Sequence, residues 1–324
     1  MLYPLKLKPR FKDKIWGGSK MRTRLKMDFS PLPNCGELWA LSGVPGNESV
    51  VVNGFLAGNS LNELLEIYMD DLVGEKAFER DSKEFPLLVK IIDANDYLSI
   101  QVHPDDALAA RRHLGNGKTE MWYILDAEPG AELITGFNRP VNRDIYLQHL
   151  KDKNLREILN TEKVTKGDLF FIPAGRIHAL GPGILLAEIQ QSSDTTYRIY
   201  DWDRVDEKGK GRELHTEEAL EAIDFGFSAD YRTHYKARVG ESSLLKECPW
   251  FSTHLLQLDR KTEKDYSALD SFVILLCIEG QAQCRAAGHT ADVNAGEALL
   301  IPAMLDAAIL EPHGSCSFLE VYLP

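Results

Sequence analysis

Val164-Thr-Lys-Gly167-Asp168-Leu-Phe-Phe-Ile172-Pro173-Ala174 returns, 129 residues further on, as Val293-Asn-Ala-Gly296-Glu297-Ala-Leu-Leu-Ile301-Pro302-Ala303. Each copy reads as a Gly-acid turn, a short apolar strand, and a proline that cannot donate to a sheet ladder and so ends it. A match of this length at one offset implies two copies of one β unit. Working outward, most of the chain consists of short apolar or alternating segments cut by Gly, Pro and Asn, the pattern of a barrel or sandwich. Helical spacing is the exception. Ser60 to Leu72 carries Leu61, Leu64, Leu65 and Tyr68 behind a Ser60 cap, and Asn142 to Leu159 repeats Ile145, Leu147, Leu150, Leu155 and Ile158. A shorter helix is expected over Asp105 to Leu114. The fold class is therefore mainly β, with a few helices in the N-terminal part.

The two copies then part company. Four residues after Ala174 stands His178, whereas four residues after Ala303 stands Ala307. A histidine kept in one copy alone reads as a metal ligand, because the other donors also lie near the first copy. In Leu98-Ser99-Ile100-Gln101-Val102-His103, a strand's alternation puts Leu98, Ile100 and Val102 on one face and Ser99, Gln101 and His103 on the other. Lys118 and Glu120 share a face at the start of Lys118-Thr-Glu120-Met-Trp-Tyr-Ile-Leu125. Taken alone, Glu120 is either edge decoration or a ligand. Together Gln101, His103, Glu120 and His178 offer an amide oxygen, two imidazoles and a carboxylate. That set suits zinc and accepts manganese, cobalt or iron, and it leaves room for water or substrate.

Composition narrows the class of partner. The 324 residues carry a formal charge of −12 with a pI near 5.3, a field that repels nucleic acid and any anionic substrate alike. A phosphorylated substrate therefore requires a local cluster of Lys and Arg. The five cysteines are scattered and never form Cys-x-x-Cys, the usage of free thiols in a reducing compartment. No apolar run reaches membrane-spanning length and the charged opening does not resemble a signal peptide, so a cytoplasmic location is expected, with no membrane partner.

The Gly-acid turn before Ile-Pro-Ala resembles the second conserved motif of cupins, small jelly-roll barrels with a metal near one open end. Phe85-Pro-Leu-Leu-Val-Lys-Ile-Ile-Asp93, Gln101-Val-His-Pro-Asp105, Lys118-Thr-Glu120-Met121, Pro173-Ala-Gly-Arg-Ile-His178 and Ser193-Asp-Thr-Thr-Tyr-Arg198 resemble type I mannose-6-phosphate isomerases of the short bacterial form. The resemblance implies two cupin barrels: residues 1–235 with the metal and small helical insertions, and residues 236–324 degenerate and without ligands. It implies one Zn2+ per chain on Gln101, His103, Glu120 and His178, with Arg198 as the active-site arginine. Ser99 and Lys118 match positions lining the pocket for a sugar phosphate, and Asp194 and Glu188 are two rival bases. The implied reaction interconverts mannose 6-phosphate and fructose 6-phosphate in a monomer or homodimer. Two other readings of such a barrel are a metal-dependent oxygenase and a sugar-phosphate sensor without turnover.

Overall fold

A computed structural model of the chain describes residues 1–80, 83–205 and 208–324. The fold is mainly β, as expected, with its strands in antiparallel sheets. The chain divides into two compact units. One comprises residues 14–18 and 92–233; the other comprises 1–13, 19–91 and 234–324.

In the unit of residues 14–18 and 92–233, one sheet runs in the order Tyr197–Tyr200, Ile100–Val102, His178–Leu180, Glu132–Phe137 and Leu159–Lys163. Facing strands Ile184–Gln191, Glu120–Ala127 and Leu169–Ile172 pair side by side. The inner core is filled by Leu133 and Leu180 from the first sheet and by Trp122, Ile124, Phe170, Ile172 and Leu186 from the second. Leu98 joins them: it precedes the Ile100–Val102 strand and so does not share the outer face of Ile100 and Val102 that strand alternation assigned to it. On the outer side Ile100, Val102, Ile134, Ala179 and Ile199 pack against the helix Arg143–Lys151 through Tyr146. Each such side chain removed from water contributes roughly 1.5–3 kcal/mol before chain entropy is counted.

The other unit repeats the plan. One sheet orders Leu5–Lys6, Ala298–Ile301, Val273–Glu279, Cys316–Tyr322, Phe251–Leu258 and Ser242–Cys248; a second orders Thr262–Asp265, Ala307–Pro312, Gln281–Ala286 and His289–Asn294. The repeated motif has the same geometry in both copies. Gly167 and Gly296 have φ of 91° and 92°, a left-handed conformation that glycine adopts without a Cβ penalty. Asp168 accepts from Thr165 N at 2.8 Å and Glu297 accepts from Asn294 N at 2.9 Å.

A single cut near residue 235 does not describe this arrangement. Residues 1–13 and 19–91 group with the C-terminal barrel because the chain's start completes it. Leu5 and Lys6 pair with Leu300 and Leu299, Lys6 Nζ lies 2.9 Å from Glu297, and Phe85 packs on Phe272 at 4.5 Å. The expected helices also differ in length. Ser60 caps Leu61–Tyr68 as expected, and Glu63 completes a capping box, but a separate turn Asp70–Val73 follows. Asn142 caps a helix that ends at Lys151; Lys153 takes a left-handed φ of 58°, and only a 3₁₀ turn, Leu155–Ile158, continues. The Asp105-capped helix spans Asp106–Arg111. Helices at Lys20–Leu25, Glu75–Arg80 and Thr216–Ala222 have no counterpart in the sequence reading. Among the described residues no helix is long and apolar enough to cross a membrane.

Candidate metal centre

Register builds the site. Arg198 lies opposite Gln101, Gln101 opposite His178, and His178 opposite Thr135, so four adjacent strands present one row. Directly opposed residues project to one face of a sheet. Here it is the inner face, because the alternate residues Ile100, Val102, Ala179 and Ile199 fill the outer core. Glu120 opens its own strand opposite Gln190 and Ile172. His103 follows the end of the Ile100–Val102 strand, where Pro104 stops the ladder.

His103, Glu120 and His178 converge. Their ligand atoms all lie within 4.8 Å of one another, and the residues are 1%, 0% and 1% exposed. Each ring spends one nitrogen on the backbone: His103 Nδ1 donates to Thr195 O at 2.9 Å and His178 Nδ1 to Arg176 O at 2.8 Å. A carbonyl only accepts, so the proton sits on Nδ1 and the Nε2 lone pair points inward. Those Nε2 atoms stand 3.5 and 3.4 Å from the two Glu120 oxygens. Burial pushes the His178 ring down to about 4, against the bond to Arg176 O and assisted by the charge of Lys118, so the ring is neutral near pH 7. Two lone pairs and a carboxylate around one buried point make an electron-rich site that a divalent cation fits. The two backbone carbonyls supply the outer contacts that fix ring orientation in metal sites.

The remaining expected residues gather unevenly. Gln101 is half-buried, with its amide nitrogen 3.1 Å from His178 Nε2; turning the amide over places Oε1 there instead. Ser99 donates to Gln101 Oε1 at 3.4 Å, and Lys118 Nζ, 5% exposed as a residue, lies 3.6 Å from Glu120. Glu188 sits on the inner face opposite Trp122, whose Nε1 donates to it at 2.9 Å, while the same indole meets the His178 ring edge-on at 5.2 Å. Asp194 is exposed, and the strand bearing Arg198 begins only at Tyr197, so Asp194 and Arg198 do not share one continuous strand face. Arg198 Nη1 donates to Glu213 O at 2.7 Å.

Four contributors were not singled out from sequence. Trp122 lies two residues after Glu120 on the same face, a signal that strand parity contained. Asp201 binds Arg204 at 2.6 Å and Arg212 Nε at 2.7 Å, gathering two cations into the segment that follows Arg198. The Thr195 and Arg176 carbonyls carry no sequence signal.

Two cupin barrels, one of them with a buried His-Glu-His cluster on its inner face, define a metal-binding cupin. Residues 4–138 match the family model described as phosphomannose isomerase type I, catalytic domain, and residues 241–323 match mannose-6-phosphate isomerase, cupin domain. The chain is 36% identical over 319 residues to the mannose-6-phosphate isomerase ManA of Bacillus subtilis, covering 97% of each, and 35% identical to the mannose-6-phosphate isomerase of Streptococcus mutans, covering 93% of each. The crystal structure of the mannose 6-phosphate isomerase from Bacillus subtilis superposes with a TM-score of 0.88 at 32% identity, covering 99% of both chains. The chain belongs to the type I phosphomannose isomerase family.

Proposed function

We propose that this enzyme interconverts mannose 6-phosphate and fructose 6-phosphate, using one zinc ion per chain held by Gln101, His103, Glu120 and His178. The convergence of His103, Glu120 and His178 on one buried point, in a chain of this family, carries the proposal. When bound, the cation supplies Lewis-acid stabilisation of negative charge developing on the sugar's carbonyl oxygen, worth several kcal/mol.

The chain's own residues do the rest. Isomerisation moves a proton between C1 and C2 through a cis-enediolate, and the base must take it from one carbon and return it to the other. We assign that role to Glu188 over Asp194, because Glu188 is 4% exposed on the inner face beside His178 and Trp122, where water is excluded, whereas Asp194 is exposed. Asp194, exposed beside the Thr195 carbonyl that holds His103, is assigned to substrate binding. Arg198 shares the oxyanion charge from the same strand row as Gln101. Ser99 and Lys118 supply the donors that a phosphorylated sugar requires in a chain of net charge −12.

The test is an isomerase assay on mannose 6-phosphate beside metal analysis of the purified protein. Turnover that disappears with the metal on chelation and returns with zinc is expected. Metal-replete protein with no turnover of mannose 6-phosphate would overturn the proposal.

A further inference from the structure

On the outer side of the unit of residues 92–233 opens a cleft of about 740 Å³, within the range of small-molecule sites. Its aliphatic wall is Leu147 and Leu150 from the helix Arg143–Lys151, with Ile199 and Leu214. Tyr200 and Trp202 add aromatic surface. The Trp202 indole is pinned by its Nε1 bond to Leu98 O at 2.7 Å and rests against Tyr97 at 4.5 Å and Tyr200 at 5.4 Å. Trp202 and Asp203 both hold positive φ, 59° and 53°; aspartate tolerates this conformation, but a tryptophan rarely adopts it, so the surroundings must enforce it there.

Charge around this cleft runs against the rest of the molecule. Among the described residues, Lys151, Lys153 and Arg156 line it beside one carboxylate, Asp203, which already accepts from Tyr200 Oη at 3.1 Å. Arg156 also pairs with Glu132 at 3.4 Å and lies 5.5 Å from the Trp202 ring. A local cationic rim on a chain of net charge −12 marks the place where an anion is attracted. The cleft is separate from the metal cluster: Ile199, which lines it, faces the outer core, whereas its neighbour Arg198 stands in the inner-face row with Gln101 and His178.

We propose that this cleft is a second ligand site, taking a planar aromatic molecule that bears an anionic group such as phosphate or sulfonate. The ring lies along Trp202 and Tyr200 over the leucine wall, and the anion meets Lys151 and Lys153. Neither assignment depends on the isomerase reaction.

The probe is 8-anilinonaphthalene-1-sulfonate, titrated against the full-length protein by fluorescence, with N-phenyl-1-naphthylamine as its uncharged counterpart. Saturable binding of the sulfonate at one site per chain is expected, with the uncharged amine binding more weakly. Leu214→Asp and the double change Lys151→Glu/Lys153→Glu alter exposed side chains, so unchanged circular dichroism is expected while sulfonate affinity falls by about tenfold or more. His103→Ala is expected to leave that affinity intact. Equal affinity in wild type and both cleft variants would overturn the proposal, as would absence of saturable binding or equal binding of the uncharged amine. Because the readout is fluorescence, loss of the site and loss of isomerase turnover are measured separately.

Discussion

Arg198 tests most directly how charge is distributed at the site. Its backbone sits opposite Gln101, yet it makes none of the contacts that orient His103 or His178, both held by main-chain carbonyls. Arg198→Ala is therefore expected to retain the metal and to lose roughly 100- to 1000-fold in kcat, the usual cost of removing one preorganised oxyanion donor. Near-normal turnover in that variant would remove Arg198 from the mechanism. Trp122 acts one step further out, through its hydrogen bond to Glu188. Trp122→Phe keeps an aromatic ring and deletes the donor. A bond to a charged group is worth about 1.5–3 kcal/mol, so kcat should drop by roughly tenfold or more while the metal content stays at the wild-type level. At this scale the sequence was informative wherever side chains carry the chemistry. Strand parity alone placed Gln101 and His103 on one face, and the contrast between His178 and Ala307 pointed to the barrel in which His103, Glu120 and His178 converge. The carbonyls of Thr195 and Arg176 were invisible, because every residue has one and only the folded path decides which carbonyl meets an imidazole.

The segment after the Tyr197–Tyr200 strand is where an element, rather than a residue, holds its shape by charge. Asp201 is 5% exposed and accepts from Arg204 and Arg212. Burial opposes ionisation there, but the hydrogen bonds from Arg212 and Arg204 and their charges outweigh it and hold the carboxyl below its ordinary value. A carboxyl depressed in the folded state stabilises the fold above its unfolded pKa of about 3.9 and loses that contribution as pH falls through the folded value. Asp201→Asn should cost roughly 1–3 kcal/mol near neutrality, where two guanidinium groups lose their anion. Thermal unfolding between pH 7 and about 3 checks the sign: the gap between wild type and variant should be constant down to about pH 5 and close on further acidification. A gap that widens in acid would place the stabilising charge elsewhere. Elements were legible from the chain when local pattern set their limits, as at the Ser60 cap. The helix after Asn142 was read too long because its apolar spacing runs on to Ile158, while the break is a backbone event at Lys153, a residue type with no turn signature.

For the whole molecule, the duplication was readable from two lines of sequence, but the grouping of the chain was not. The strand Leu5–Lys6 pairs with residues almost the full chain length away, and no local pattern specifies a partner at that separation. The duplication also bears on the expected metal count. Both copies keep the left-handed glycine and the strand that follows it, but position 307 is an exposed alanine, and among the described residues the groups able to hold a metal converge only at His103, Glu120 and His178. One ion per chain is therefore expected by elemental analysis, none in His178→Ala, and still one in Ala307→His, since a lone imidazole adds no neighbouring carboxylate or second ring. The ion should also be visible in stability, because a ligand bound only by the folded state stabilises it by about 2.7 kcal/mol at a hundredfold excess over its Kd. Chelation should lower the melting temperature of the wild type and leave that of His178→Ala unmoved. Two ions per chain, or equal melting shifts in both proteins on chelation, would mean that the metal is held somewhere other than the inner face of the barrel that kept its histidines.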